Sequence, residues 1–388
     1  MMKNFFLSCF LVHFGIISMA QPTNSASAGN AVLFIHGMGG SSLSWQETVT
    51  QLPANGYYYL SNIRVISEEN FLWTNTENKS QVPGRKPGLI SFFTMDFSDN
   101  QNLTIKQQAK EINIVIETVR EKYGKMPLVL VAHCMGGLAA RRYIMDYGTS
   151  CVAGLVTLAT PHLGSFFGYG KNLSSGLPAR QLEPDFSEFV QNLKNYRLLD
   201  DRQLKRNPYL TLFEVYNNSV GLDCWSVAAE VMKPTSTEMK QLYMQEFPRS
   251  LPVAVVISDW QPKVAYDESQ SANWFNHVRS QNLINIFDPN NGFDIVRAVI
   301  IPALIHYDNP EFKSIHDNIP TEVLISLLQD SHCDGIVTVN SQDMRYGVRN
   351  GSDLNLSIFY TNRFHTETPG DVDCLLRALK AVMVGRVE

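Results

Sequence analysis

The run from Val129 to Leu138 constrains the fold of this 388-residue chain most. An apolar stretch ends in a turn of small residues around Cys134, and a helix-like segment follows directly. So sharp a strand-to-helix turn forces its central residue into strained backbone geometry and lifts its side chain clear of the sheet. Larger residues two positions either side would collide, and Ala132 and Gly136 satisfy that restriction. The run therefore predicts a nucleophile elbow with Cys134 at its apex, where Ser is the usual residue.

Further apolar runs alternate with helical periodicity along the chain. Continuous apolar runs are typical of strands that a parallel sheet buries on both faces. We expect strands within Ala31–Ile35, Ile63–Ser67, Leu89–Phe97, Leu128–Ala132, Gly154–Ala159, Val253–Ile257, Val337–Val339 and Leu354–Tyr360, and helices within Thr104–Tyr123, Leu138–Tyr147 and Asp371–Val384. This order predicts an α/β fold with a mostly parallel, doubly wound sheet.

The regular alternation stops near Gly164. Residues 165–250 mix glycine-rich, charged and aromatic stretches, and residues 261–330 are irregular as well. The strand-like pattern returns between these segments and again after the second. We therefore expect a single domain over residues 21–388 that carries two insertions, of which the first is a lid candidate.

The first twenty residues have the pattern of a secretory signal peptide. Lys3 is the only charge before the apolar run 5–17, and Ser18-Met19-Ala20 has the small-x-small form of a cleavage site. That run is short for a membrane anchor, which needs about 20 apolar residues. We expect residues 1–20 to be cut off after Ala20 and the protein to be secreted or periplasmic.

The charge balance and residue spacing argue against several kinds of partner. A formal net charge of -5 gives no sign of nucleic-acid binding or of a polybasic membrane surface. The spacing of His, Cys and Asp does not indicate a metal site, and we expect neither a metal nor a cofactor.

Export permits disulfides, and the cysteine count is odd once the signal peptide is removed. Six cysteines are present and Cys9 leaves with the signal. If Cys134 is the free thiol, four cysteines remain for two disulfides, namely Cys151, Cys224, Cys333 and Cys374. The alternative is that all five are buried and reduced.

A nucleophile at an elbow needs a general base and an acid that orients the base. His365 follows the last predicted strand and precedes the closing helix, so it is the candidate base. Asp334 is the candidate acid, which gives the chain order nucleophile, acid, histidine. Asp259, at the end of an earlier predicted strand, is its rival, whereas His332 would break the expected order.

An elbow nucleophile that attacks a carbonyl also needs donors for the oxyanion. The backbone N–H of Met135, at the N-terminus of the predicted helix, is one candidate, and that of Met38 after the first strand is the other.

Among the residues near the elbow in sequence, we expect His133 to be a packing residue. We expect His162 and Ser165 to shape a strand end, and Arg141 and Arg142 to lie on a solvated helix face.

Four separate motifs resemble the lipase-like branch of the α/β-hydrolase superfamily. They are Phe34–Gly40, Ala132–Arg141, Leu158–Ser165 and Asp334–Val337. The resemblance covers about residues 30–165 and 330–384 of the printed chain. Triacylglycerol lipases, GPI-inositol-deacylase-like proteins and lecithin-cholesterol acyltransferase-like enzymes share this pattern. It implies an α/β-hydrolase fold with lid-like insertions.

The resemblance also implies an exported ester hydrolase of the lipase or carboxylesterase type, or a thioesterase. It would use Cys134, His365 and Asp334 as a triad and form a covalent acyl-enzyme. Cys at the elbow is rarer in this branch and is similar to polyhydroxyalkanoate synthases and some related depolymerases. Since the intermediate would be a thioester, transfer of the acyl group to an alcohol is an alternative. A hydrolase-fold binding protein without activity is another.

The expected partner is an acyl-ester or lipid-like substrate, with transient contact to a membrane or lipid interface. Phe166, Phe167 and Trp225 in the lid candidate are the residues we expect to line an apolar substrate pocket.

Overall fold

Eight strands form one sheet in the computed structural model, which describes residues 31–67, 70–74, 86, 88–165, 223, 226–234, 236–259, 334 and 336–383. The strands are β1 (Ala31–Ile35), β2 (Tyr57–Ser67), β3 (Asn70–Thr74), β4 (Ile90–Asp96), β5 (Leu128–His133), β6 (Val152–Leu158), β7 (Val253–Ser258) and β8 (Leu356–Thr361). Their order across the sheet is β3-β2-β4-β1-β5-β6-β7-β8. The β2–β3 pair is antiparallel and the other neighbouring pairs are parallel, so the expected mostly parallel sheet is confirmed.

The described helices range from 4 to 19 residues, and the longest pack on the sheet. They are α1 (Gln46–Gln51), α2 (Ile105–Tyr123), α3 (Met135–Tyr147), α4 (Val227–Val231), α5 (Thr237–Met244), α6 (Val339–Gln342), α7 (Met344–Gly347) and α8 (Val372–Met383). Short 3-10 turns lie at Ser42–Trp45, Leu52–Asn55, Gly351–Asp353 and His365–Gly370. Among the described helices, none is both long and apolar enough to cross a membrane.

Both faces of the central strands are buried, which explains their continuous apolar sequence. Alternate residues of a strand point to opposite faces. In β5, Leu130 packs on the face that α2 and α3 cover, and Val131 packs on the face that α8 covers. The sheet is therefore doubly wound, as the sequence predicts.

The ends of α2 show how closely local sequence sets the helix bounds. Thr104 accepts a hydrogen bond from the Gln107 amide, and the Gln107 side chain accepts one from the Thr104 amide, which together form a capping box. Gly124 ends the helix with φ 90°, a conformation that glycine adopts without a Cβ penalty. The predicted and observed helices differ by a single residue.

Two expectations about local structure are wrong. Val337–Val339 does not form a strand: Thr338 caps α6, with its side chain accepting a hydrogen bond from Ser341 at 3.4 Å. Arg141 and Arg142 are not solvated, because α5 and α7 cover that part of α3; Arg141 is fully buried and Arg142 is 8% exposed. Local periodicity cannot reveal cover that comes from segments about a hundred or more residues away.

The two-disulfide arrangement is also wrong. Cys134, Cys151 and Cys374 are all buried and free. Cys224 and Cys333 lie outside the described residues, so at most one disulfide between those two is compatible with this arrangement.

Candidate active site

Cys134 lies at the turn between the end of β5 and the start of α3. Its backbone has φ 52° and ψ −129°, in the positive-φ region that residues with a Cβ rarely adopt. The Cys134 amide donates to the carbonyl of Leu158 at 2.9 Å, which ties the strained turn to β6. The predicted elbow is present, and its apex is a nearly buried thiol with 5% exposure.

Two glycines let the elbow lie against the loop that follows β1. A Cβ on Gly136 would come within 2.4 Å of the carbonyl oxygen of His36. A Cβ on Gly37 would come within 2.6 Å of the Cys134 Cβ. Glycine at both positions is therefore what brings the loop after β1 into contact with the nucleophile candidate.

His365 and Asp334 meet in a buried ion pair beside this elbow. The His365 Nδ1 lies 2.6 Å from Asp334 Oδ2, and the His365 amide donates to the Asp334 carbonyl at 2.8 Å. The second carboxylate oxygen of Asp334 accepts from the amides of Ile336 at 2.9 Å and Val337 at 2.7 Å. These four bonds fix both residues, which are 2% and 0% exposed respectively.

The imidazole of His365 is held in its charged form. Burial by itself would lower the pKa of His365, but the Asp334 carboxylate and the Cys134 sulfur outweigh it and raise that pKa to about 10. Among the described residues, none forms a hydrogen bond with His365 Nε2, which is buried. The Asp334-bound ring therefore has its second nitrogen available next to Cys134.

His133 does more than pack beside the elbow. Its Nε2 lies 3.0 Å from the His365 carbonyl oxygen, and the two rings are 4.8 Å apart. A carbonyl can only accept, so Nε2 carries the proton. Burial and the neighbouring charge on His365 hold the pKa of His133 well below its usual range, so this ring is neutral. His133 thereby connects the elbow to the backbone of the base candidate, a contact that sequence reasoning missed.

Met38 and Met135, whose amides are the expected oxyanion donors, lie in the two segments that adjoin Cys134. Met135 is the first residue of α3, and Met38 follows Gly37 in the loop against the elbow. A Met side chain carries no hydrogen-bond donor, so only the backbone N–H groups could serve as oxyanion donors. Gln108 Nε2 donates to the Met135 sulfur at 3.5 Å.

The remaining sequence candidates fall in two groups. The backbone of Asp259 continues the β7–β8 ladder by donating to Thr361 at 2.9 Å, while the carboxylate that contacts His365 Nδ1 is that of Asp334. Phe166, Phe167, Trp225 and His332 lie outside the described residues.

Within the described ranges, no group of three or more His, Cys, Asp or Glu side chains is arranged to hold a metal ion.

Comparisons with known proteins agree with this architecture. Residues 20–196, less than half of the chain, match the model of a family described as alpha/beta hydrolase of unknown function (DUF915). GPI inositol-deacylase from Cryptococcus neoformans var. neoformans serotype D is 28% identical over 147 residues, which are 35% of this chain. That match spans only 17% of the deacylase.

Solved structures of similar size have low sequence identity to this chain. The mature lipase BlEst2 of Bacillus licheniformis is 11% identical, with a TM-score of 0.47 over 92% of this chain and 93% of that one. Lipase 1 from Pelosinus fermentans is 12% identical, with a TM-score of 0.44 over 92% of this chain and 98% of that one.

The strand order and the strained elbow agree with the family match over residues 20–196 and with the four motifs. This chain therefore has the α/β-hydrolase fold, and its residues 20–196 are similar to a family described as alpha/beta hydrolase.

Proposed function

We propose that the protein hydrolyses carboxylic esters through a covalent thioester on Cys134. The observation that carries the proposal is the 2.6 Å contact between His365 and Asp334 beside a positive-φ cysteine at a helix N-terminus. A nucleophile, a base and an orienting acid in this order are the parts of a triad.

The charge state of His365 sets how the reaction would start. With the pKa of His365 raised to about 10, the ring is protonated at neutral pH. We propose that the sulfur of Cys134 reacts as a thiolate beside this ring. The sulfur attacks the ester carbonyl, an S–C bond forms, and the carbonyl electrons move to oxygen. The amides of Met38 and Met135 would stabilise that oxyanion. When the C–O bond breaks, His365 Nε2 gives its proton to the departing alkoxide.

The second half of the cycle uses the neutral imidazole that the first half leaves behind. A water molecule gives a proton to His365 Nε2 while its oxygen attacks the thioester carbon. The C–S bond breaks, the carboxylic acid leaves, and the thiolate–imidazolium pair is restored. An alcohol in place of water would make the same step an acyl transfer.

The substrate we propose is an ester with a lipid-like acyl chain. The similarity to GPI inositol-deacylase and the lipase-like motifs support this class. We further propose that residues 1–20 direct export, that the lid candidate at 165–250 covers an apolar pocket, and that substrate is reached by transient contact with a lipid interface.

Turnover of p-nitrophenyl esters and thioesters of increasing chain length tests the proposal. Wild type should turn over at least one ester, Cys134→Ala should be inactive, and Cys134→Ser should keep only weak activity. Turnover that is unchanged in Cys134→Ala would refute the nucleophile assignment. No turnover by wild type, with activity in Cys134→Ser, would instead favour a binding protein. Added alcohol acceptors separate transfer from hydrolysis.

A further inference from the structure

We infer that Asn100 is a positioning residue that fixes the direction of the Met38 N–H in the loop against Cys134. This inference rests on the proposed function, because it deepens the role of the Met38 amide as an oxyanion donor. The residue lies in the loop between β4 and α2, 63 residues along the chain from Gly37.

The side-chain amide of Asn100 contacts two carbonyls of the loop that follows β1. Its Nδ2 lies 2.8 Å from the Gly37 oxygen and 2.9 Å from the Gly40 oxygen. An amide group has two N–H hydrogens, so each carbonyl receives one. The opposite placement of the amide would bring its oxygen against two carbonyl oxygens, which excludes it.

The tautomer of His36 agrees with this assignment. Its Nε2 accepts from the Phe97 amide at 3.4 Å, so the proton of the neutral ring is on Nδ1 and is donated to the Gly37 oxygen at 2.9 Å. The 3.1 Å contact between Asn100 Nδ2 and His36 Nδ1 is then a contact between two donors that share an acceptor. The Gly40 amide adds a third donor to the Gly37 oxygen at 3.2 Å.

These bonds determine where the Met38 amide points. In a trans peptide the C=O and the following N–H point in opposite directions, and the described residues contain no cis peptide bond. Because three donors hold the Gly37 carbonyl on the Asn100 side, the Met38 N–H faces away from Asn100. Gly37 itself lies against Cys134, since a Cβ there would come within 2.6 Å of the Cys134 Cβ. The Met38 N–H is thereby directed toward the space beside the nucleophile.

Two reactions at the same sulfur distinguish positioning of the oxyanion donor from support of the elbow. Acylation of Cys134 by p-nitrophenyl acetate passes through an oxyanion, whereas alkylation by iodoacetamide displaces iodide without one. The variants are Asn100→Ala and the isosteric Asn100→Asp, whose carboxylate cannot donate. Asn102→Ala is the matched control, because Asn102 is exposed and its amide donates to Asp99 at 2.8 Å.

Acylation, followed as the p-nitrophenol burst, should fall about 10- to 100-fold in both Asn100 variants, with alkylation of the Cys134 peptide changed by less than about twofold. Asn102→Ala should match wild type in both reactions. Equal losses in both reactions would overturn the inference, because Asn100 would then only support the elbow. Unchanged acylation would overturn it as well.

Amide hydrogen exchange tests the role of Asn100 in the loop without relying on acylation of Cys134. If wild type is alkylated at Cys134 but never acylated, the proposed function fails while the loop can still be tested. The Gly40 amide should then exchange faster in Asn100→Ala and Asn100→Asp than in wild type and Asn102→Ala. Equal exchange rates would overturn the role of Asn100 in the loop.

Discussion

At the scale of single residues, the site depends on one strained cysteine and the groups that hold its neighbours. The positive φ of Cys134 costs on the order of 1–3 kcal/mol, which the packing of Gly136 and Gly37 against adjacent backbone makes tolerable. Asp334 accepts from two amides as well as from His365, so its carboxylate is fixed before any substrate arrives.

The sequence leaves two candidates, Asp334 and Asp259, for the acid that orients His365. Substituting each by Asn shows which of them has that role. Asp334→Asn should lower kcat by about 10²- to 10⁴-fold. The Asn side chain neither stabilises the imidazolium nor holds the neutral imidazole in the tautomer that the reaction needs. Asp259→Asn should change kcat by less than about threefold, since the contact at His365 Nδ1 belongs to Asp334. Steady-state kinetics on the best p-nitrophenyl ester measures both, and losses of equal size would contradict the preference for Asp334.

Motif reasoning names Cys134, His365 and Asp334 but not the residues that hold them. His133 is 232 residues from the carbonyl it contacts, and Asn100 is more than sixty from its loop. Neither contact has a local signature, because an ordinary His or Asn in a turn has the same appearance in sequence. Only the fold brings these donors to their acceptors.

At the scale of elements, Arg141 holds α3 in place, although its sequence context predicts a residue on a solvated helix face. Arg141 donates to the carbonyls of Leu242 at 3.3 Å, Gly347 at 2.8 Å and His162 at 3.3 Å. Burial lowers the pKa of Arg141 to about 9. One guanidinium thus joins α3 to α5, α7 and the segment after β6.

Removing that guanidinium should loosen the contact between these helices. Arg141→Leu leaves three buried carbonyls without a donor and should lower the free energy of unfolding by about 2–5 kcal/mol. Arg142→Leu is the comparison: Arg142 donates to the side chains of Asp146 at 2.7 Å and Gln241 at 3.1 Å, which are exposed and can bind water instead, so its loss should be smaller, about 1–2 kcal/mol. Urea unfolding midpoints measure both, and equal shifts would contradict the account of Arg141.

Element bounds follow from sequence where both sheet faces are buried or a cap is present. The predicted and observed positions of β1, β5 and α2 agree within about two residues for this reason. Val337–Val339 departs from the pattern because the Asp334 carboxylate takes the amides of Ile336 and Val337, which a strand would have paired.

At the scale of the whole molecule, strands from both sides of each insertion complete one sheet. β7 lies between the two irregular segments and pairs with β6 and β8. The single-sheet architecture could therefore be predicted from the strand pattern alone. Export and the lid remain predictions that rest on residues 1–20 and 165–250.

The buried ion pair should also make stability depend on pH. The pKa of His365 is raised from 6.5 to about 10 on folding, so protonated His365 binds its proton more tightly in the native state. Its contribution is complete below pH 6.5 and is lost as the pH rises through about 10. The free energy of unfolding, measured by urea titration across this range, should fall more steeply in wild type than in Asp334→Asn. Parallel curves would contradict the pairing.

The central claim is that an ester transfers its acyl group to Cys134, and the mass of the acid-quenched protein tests it most directly. Mixing wild type with a p-nitrophenyl ester should add one acyl mass per chain, released by neutral hydroxylamine as expected for a thioester and located on the Cys134 peptide. Cys134→Ala should stay unmodified. Ester turnover without any adduct on Cys134, or with the acyl group on another residue, would contradict the claim.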